Sequence, residues 1–355
     1  MTAIADGNLA PQDRAVQARK LHWVLTTALG LTALLSLQIG ATDVTLMHML
    51  AKVLVGEVLS PLERVVLFDI RLPRLAMGTL VGAALAVSGV VMQGLFRNPL
   101  ADPGIVGISA GAGLGAILAI VLGAHLPIWL TDLTGDHLTP LIAFLGGWGT
   151  ILLLYRVSTR HGRTSVATML LAGIALAALA GALSGILVFV ANDQQLRDLT
   201  FWGLGSLAGA NWAKVFAAGP MILLSIAAAL TLGRGLNGLA MGEATAAHIG
   251  IDVQKLKSIT ILVVAGATGA AVAVSGGIGF VGIVVPHLLR LASGPDHRTL
   301  LLNAALLGAS LLILADVIAR SIIAPAELPI GIVTAVLGAP VFLWILLKRR
   351  GVVDL

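Results

Sequence analysis

The heptapeptide AALAVSG at Ala83–Gly89 is nearly repeated as AAVAVSG at Ala270–Gly276. The two copies are 187 residues apart (270 − 83), and the same offset relates Pro99 to Pro286. Each copy is therefore followed by a proline, which we expect to break the helix that carries it. Chance is the alternative, because heptads of Ala, Val and Gly recur easily in apolar helices. We interpret the pair as the trace of a duplicated half-molecule.

The composition is that of an integral membrane protein. Of 355 residues, 58% are hydrophobic and 11% are charged, and the mean hydropathy is +1.00; soluble proteins carry about 25% charged residues. The chain has no cysteine, which excludes disulfides, thiolate metal sites and cysteine nucleophiles. We attribute the net charge of +5 to cytoplasmic loops rather than to a nucleic-acid site.

Ten segments are apolar enough to cross a bilayer, which needs about 20 residues. The eighth is short and interrupted by Gly and Pro, so we expect a broken or partial span there. The predicted spans are 21–40, 72–95, 104–123, 139–157, 166–191, 213–232, 256–275, 279–292, 299–319 and 328–347.

The basic residues predict the orientation of these spans. If the N-terminal tail (1–20) is cytoplasmic, 15 of the 22 Lys and Arg residues lie on the cytoplasmic side, as the positive-inside rule requires. Both termini are then cytoplasmic, and 21–350 forms one transmembrane domain. The two heptads lie in spans 2 and 7 and cross in opposite directions. This predicts an inverted repeat of spans 2–5 and 7–10, the plan of many transporters.

Several longer motifs resemble one transporter family. They are RLPRLAMGTLVGAALAVSGVVMQGLFRNPLADPGIVGISAGAGLGA (71–116), GEATAAHIGID (242–252), GGIGFVGIVVPHLLRL (276–291), ADVIAR (315–320) and AELPIGIVTAVLGAPVFLWILL (326–347). The chain thus resembles the FecCD/BtuC-type permeases of ATP-binding-cassette (ABC) importers for iron siderophores, haem and vitamin B12. The segment DQQLRDLTFWGLGSLAG (193–209) is most similar to the haem branch.

This resemblance implies an all-α type II importer permease in the bacterial inner membrane. Two copies would enclose one path, with two ATPase subunits below and a periplasmic substrate-binding protein above. No G-x-x-x-x-G-K-[ST] phosphate loop occurs in the chain, so ATP and Mg²⁺ are expected on the partner subunit. The chain itself is expected to bind no cofactor or metal and to catalyse no reaction. Haem is the expected cargo.

Three arginines on the predicted periplasmic side are candidates for docking the binding protein. They are Arg71, Arg74 and Arg320. In the family the corresponding arginines meet carboxylates of that protein, which suits the bidentate fork of a guanidinium group. The alternative is that they extend to lipid headgroups and anchor helix ends.

Two cytoplasmic segments are predicted to form a gate. They are Asn98, Pro99 and Leu100 after span 2, and Ala167 and Thr168 at the start of span 5. The family resemblance implies this role, whereas the residues alone are equally consistent with a tight polar turn. Path-lining candidates are Met92, Gln93 and His287; His287 is expected mainly to be a buried, hydrogen-bonded side chain.

The cytoplasmic stretch 235–255 predicts a short helix that couples the permease to the ATPase. The residues singled out are Gly242, Glu243, His248 and Gly250. Glu243 is expected to form an ion pair with the ATPase. The alternative is an interfacial helix that rests on headgroups, which a segment with one Glu and few basic residues favours less.

Close helix packing is predicted where glycines are spaced as G-x-x-x-G. The sequence has this spacing at GTLVG (78–82), GISAG (107–111), GAGLG (111–115) and GALSG (181–185). No charged residue lies in the middle of a confident span, which disfavours a carrier driven by an ion gradient. A membrane enzyme is the last alternative, because no His, Asp and Glu cluster lies at one membrane depth. A ferric siderophore or a corrinoid remains an alternative cargo.

Overall fold

A computed structural model describes residues 11–40, 42, 44–160 and 162–348. The first ten residues of the predicted tail and the predicted domain end at 349–350 lie outside the described residues. The helices are α1 (Pro11–Gln38), α2 (Leu46–Leu54), α3 (Pro61–Arg64), α4 (Leu72–Phe96), α5 (Ile108–Leu122), α6 (Ile128–Thr134), α7 (Leu138–Ser158), α8 (Val166–Val190), α9 (Asp193–Leu204), α10 (Trp212–Thr231), α11 (Gly233–Ala240), α12 (Glu243–His248), α13 (Val253–Ser275), α14 (Val281–Ser293), α15 (His297–Ser321) and α16 (Ile330–Lys348). A π-helical turn, Val65–Arg71, leads into α4. A small antiparallel hairpin, β1 (Thr159–Arg160) and β2 (Arg163–Thr164), precedes α8.

The ten predicted spans correspond to α1, α4, α5, α7, α8, α10, α13, α14, α15 and α16. Among the described residues, seven helices are long and apolar enough to cross a membrane, and the other three are shorter apolar helices: α5, α14 and α16. The eighth predicted span is one of these three, α14, as its length suggested. The main difference is α1, which begins at Pro11, about ten residues before the predicted span.

The core lies between α4 and α13, the helices that carry the two heptads. In each of these helices 78% of the residues in the most apolar window are buried, against 11% in α1 and α8. Ala83–Gly89 is buried throughout, and α4 packs directly on α13. The repeated motifs therefore lie in the two helices that form the core, where small side chains allow close packing.

The helix contacts follow the predicted duplication. Exchanging spans 2–5 with spans 7–10 converts the contact of α4 with α15 into that of α13 with α7. The same exchange converts α5–α7 into α14–α15, and α4–α14 into α13–α5. All six contacts are present. The fold is thus all-α apart from the small hairpin, with two related halves.

The prediction of matching proline breaks after the two heptads is wrong. Pro99 lies in the turn after α4, whereas Pro286 lies inside α14. The break in the second half comes earlier, between Ser275 and Val281, where Gly276 has φ +70°. In the first half the equivalent Gly89 is helical and α4 continues to Phe96. The same motif therefore ends one helix and continues the other.

Three of the four predicted G-x-x-x-G motifs contain a glycine at a close helix contact. A Cβ atom on Gly82 would lie 2.3 Å from Gly308 O, and one on Gly111 would lie 2.6 Å from Gly146 O. Gly181 and Gly185 are different, because nothing lies within 4 Å of a Cβ atom on either. Within the described residues GALSG therefore makes no close helix contact, and this motif faces outward from α8.

Candidate functional site

The three predicted docking arginines lie close together where α4 begins and α15 ends, but they are buried. Arg71, Arg74 and Arg320 are only 3%, 7% and 5% exposed. In the described conformation their guanidinium groups are therefore not free at the surface. The reason is that carboxylates and carbonyls of the same chain occupy their donors. Docking through these residues stays a prediction.

Arg74 is the centre of a buried ion cluster. Its guanidinium group donates to Asp316 on α15 at 2.9–3.0 Å and to Glu327, before α16, at 2.8 and 2.9 Å. Both carboxylates are bound bidentately, the geometry in which arginine binds most strongly. Arg74 therefore joins three segments that are far apart in the sequence.

The other two arginines tie α1 to the same cluster. Arg320 donates to Ser36 O at 2.7 Å and to Ser36 Oγ at 2.8 Å, while its Nε lies 3.6 Å from Asp316 Oδ2. Arg71 donates to Leu37 O. Asp316 lies within the predicted ninth span, and sequence reasoning did not single it out. It is compensated by Arg74 and Arg320, so it is not a free carboxylate on a path.

The two predicted gate segments are exposed turns next to helix ends. Asn98 Oδ1 accepts the N–H of Leu100 at 3.0 Å, which closes the turn after α4. Ala167 and Thr168 lie in the first turn of α8, where Ser165 Oγ caps the helix by accepting from Thr168 N at 3.2 Å. Within the described ranges no hydrogen bond or ion pair joins the two segments. The gate stays a prediction.

The predicted coupling segment is two short helices rather than one. Gly242, with φ +108°, separates α11 from α12, and Gly250, with φ +86°, follows α12. Such backbone angles favour glycine, which explains why both positions are glycine. A hydrogen bond joins α11 to the start of α15: Asn237 Oδ1 accepts from His297 N at 2.9 Å. His248 is exposed, and its Nδ1 lies 2.7 Å from Ala244 O of its own helix.

Asp296 completes the junction between α11 and α15. It caps α15, and it accepts from Asn237 Nδ2 at 2.7 Å and from Arg298. The Arg298 guanidinium and, to a lesser extent, the Asn237 amide lower the pKa of Asp296 to about 2. The carboxylate therefore stays ionised at physiological pH and keeps this junction charged.

Glu243 has a partner within the chain. Its Oε1 lies 2.8 Å from Lys257 Nζ, and Lys257 is almost completely buried. The sequence predicted an ion pair with the ATPase for Glu243 and did not single out Lys257. The structure gives Glu243 an internal ion pair; 42% of its side chain remains exposed, so a contact with a partner subunit stays a prediction. The one sequence feature that could have indicated Lys257 is its charge, at the start of an apolar stretch.

The path-lining candidates are buried inside the chain. Met92, Gln93 and His287 are 1%, 3% and 5% exposed. Gln93 Nε2 donates to Gly282 O at 3.2 Å, and Gln93 Oε1 accepts from Arg290. The described structure therefore does not place Met92 and Gln93 on an open path. His287 is buried as the sequence analysis mainly expected.

Pro286 explains why Gln93 is needed at this position. Proline has no N–H, so the carbonyl four residues earlier, Gly282 O, loses its helical donor. Gln93 supplies the missing hydrogen bond from α4. A buried carbonyl without a donor costs free energy. The side-chain amide of Gln93 therefore compensates for the N–H that Pro286 lacks.

Gln93→Leu is expected to destabilise the protein by about 1–3 kcal/mol, because it leaves Gly282 O without a donor. The loss is measured as a lower midpoint of thermal unfolding in detergent. In a Pro286→Ala background the helical N–H returns, and the same substitution should cost less. Equal costs in the two backgrounds would contradict this pairing.

Comparisons with known proteins agree on one family. The FecCD transport family matches the chain over residues 28–348. The hemin transport system permease protein HmuU of Yersinia pestis is 48% identical over 282 residues, which cover 79% of this chain and 83% of HmuU. The vitamin B12 import system permease protein BtuC of Escherichia coli is 40% identical over 339 residues, covering 94% of this chain and 98% of BtuC.

Solved structures show the same fold. An inward-facing transporter, described as of the metal-chelate ABC type, has a TM-score of 0.81 and 34% identity, covering 93% of this chain and 99% of its own. PsaBC from Streptococcus pneumoniae has a TM-score of 0.54 at 18% identity, covering 80% of this chain and 93% of its own, which shows likeness of fold alone. The predicted relation to importer permeases is confirmed.

Proposed function

Because the chain belongs to the FecCD transport family, whose members are permeases of ABC importers, we propose that it forms the membrane path for hemin. The observation that carries the choice of hemin is the 48% identity to HmuU, against 40–42% for the B12 and cobalamin permeases. The segment 193–209, which resembles the haem branch, supports the same cargo. The chain binds no cofactor of its own, and the work is transport without covalent chemistry.

The proposed assembly is a homodimer with two ATPase subunits and a periplasmic binding protein, in the bacterial inner membrane with both termini cytoplasmic. The outer face of α8 supports the homodimer. Leu171, Ile174 and Phe189 on this helix are 70%, 60% and 90% exposed. Gly181 and Gly185 on the same helix have open space around them, and small-residue motifs of this kind favour close contact between helices. A second copy would bury this face.

A corrinoid is the second candidate cargo. The B12 permease of Escherichia coli covers 94% of this chain, more than the 79% covered by HmuU, although its identity is lower. A carrier driven by an ion gradient has less support, since Asp316, a buried carboxylate within a span, is already paired with Arg74.

Uptake into proteoliposomes tests the proposal. The permease is reconstituted with its ATPase and binding protein, and uptake of hemin is compared with that of cyanocobalamin and a ferric siderophore. We expect hemin to accumulate with ATP inside and uptake to be insensitive to an uncoupler. Uptake that follows an ion gradient without ATP would contradict the importer mechanism, and preferential uptake of cyanocobalamin would contradict the cargo.

A further inference from the structure

Lys257 is a buried charged residue in the second turn of α13. It is 2% exposed, and its Nζ is 2.8 Å from Glu243 Oε1 and 2.9 Å from Thr164 O. Burying an ammonium group costs several kcal/mol unless it is paired and hydrogen-bonded. A methionine of similar length would fill the same space without this cost. The position therefore calls for an explanation in terms of what the charge connects.

The two partners of Lys257 belong to two different segments of the chain, the predicted coupling segment and the hairpin before α8. Glu243 is the first residue of α12, in the segment predicted to contact the ATPase. Thr164 ends β2 and is followed by Ser165, the cap of α8. The predicted gate residues begin two residues later, at Ala167. The ammonium group of Lys257 thus contacts both the coupling segment and the residue that precedes the cap of α8.

Thr164 is held by α13 through both of its backbone groups. Its N–H donates to Gln254 Oε1 at 2.8 Å, and its carbonyl accepts from Lys257. Gln254 and Lys257 are three residues apart on one helix, so they lie on the same face. Tyr155 Oη, at the end of α7, is 2.8 Å from Ser258 Oγ and holds the other side of the hairpin. The entry to α8 cannot move against α13 without changing the bonds of Lys257.

We propose that Lys257 is the positioning residue that transmits movement of α12 to the entry of α8. This inference rests on the proposed ATP-driven function. When α12 moves, the distance between Glu243 and Lys257 changes, and the ammonium group compensates through its bond to Thr164 O. Because both acceptors bind N–H groups of one ammonium, the two partners cannot move apart without breaking one of the two contacts. The first turn of α8 then shifts with Thr164.

Lys257→Met in the assembled permease–ATPase complex tests this link. The variant keeps the length of the side chain and removes the charge. We expect ATP hydrolysis within about twofold of the unmodified complex and hemin uptake per ATP reduced at least about tenfold. Lys20→Met is the matched control, because Lys20 is exposed on α1, away from these contacts; it should leave both rates unchanged. Lys257→Arg should retain most of the coupling, because a guanidinium group can donate to both acceptors.

Glu243→Gln and the double variant with Lys257→Met separate a shared link from independent effects. If the two residues act as one unit, the double variant should lose no more coupling than Lys257→Met alone. Additive losses, or uptake per ATP in Lys257→Met equal to that in Lys20→Met, would overturn the inference. If Lys257→Met fails to assemble, Glu243→Gln and Lys257→Arg are compared instead. We expect Glu243→Gln to be uncoupled and Lys257→Arg to stay coupled, and equal uptake per ATP in the two variants would overturn the inference. An unmodified complex without ATP-dependent uptake would overturn the proposed function instead.

Discussion

Arg74→Met is expected to lower the free energy of unfolding by about 3–5 kcal/mol, because it leaves a buried carboxylate without its partner. Asp316 is 3% exposed, and Arg74 provides its closest charge contact at 2.9 Å. Arg320 lies 3.6 Å away and cannot replace the bidentate contact. The effect is measured as a lower midpoint of thermal unfolding in detergent and a smaller monodisperse fraction.

Two controls distinguish a lost buried pair from a lost surface charge. Arg298→Met removes an arginine from an ion pair with Asp296, but the Arg298 side chain is 61% exposed; exposed pairs are worth about 1 kcal/mol or less. The double variant Arg74→Met with Asp316→Leu removes both charges of the pair and should recover part of the stability; the rest stays lost because the buried Arg320 no longer has Asp316 as a partner. If Arg74→Met is as stable as Arg298→Met, the buried ion cluster does not contribute to the free energy of unfolding in the way that its burial predicts.

Gly89→Leu is expected to prevent correct packing of α14 on α4. A Cβ atom at Gly89 would lie 2.0 Å from Gly282 O and 2.7 Å from Gly282 Cα. Both are backbone atoms, so the clash can be relieved only by moving a helix. We expect a loss of about 3 kcal/mol or more, seen as aggregation during size-exclusion chromatography in detergent.

Gly30→Leu is the matched control for this substitution. Gly30 lies within α1, and nothing is within 4 Å of a Cβ atom there. Both substitutions gain about 1 kcal/mol in helix propensity, so the difference between the two variants reports packing alone. Equal yields of monodisperse protein would show that α4 and α14 are not in close contact at Gly89.

Sequence reasoning predicted the elements of this fold better than the contacts among its polar groups. Span positions could be predicted because the length of an apolar run and the bilayer thickness set them. The repeat could be predicted because small residues must recur where helices meet. The positions of the helix breaks could not be predicted. Gly276 adopts φ +70° whereas the equivalent Gly89 is helical, and this difference depends on the segments that surround each glycine.

The sequence by itself determined the membrane class, the ten apolar segments, the duplicated halves and the family, because composition, hydrophobic length and local motifs carry this information. Only the tertiary structure decided which charges are paired. Arg74 and Asp316 are 242 residues apart, and Lys257 and Thr164 are 93 apart. Whether such residues meet depends on helix packing, which no local pattern encodes. The three arginines predicted to dock the binding protein are therefore found buried, and Lys257, which no sequence motif marks, contacts both the coupling segment and the residue before the cap of α8.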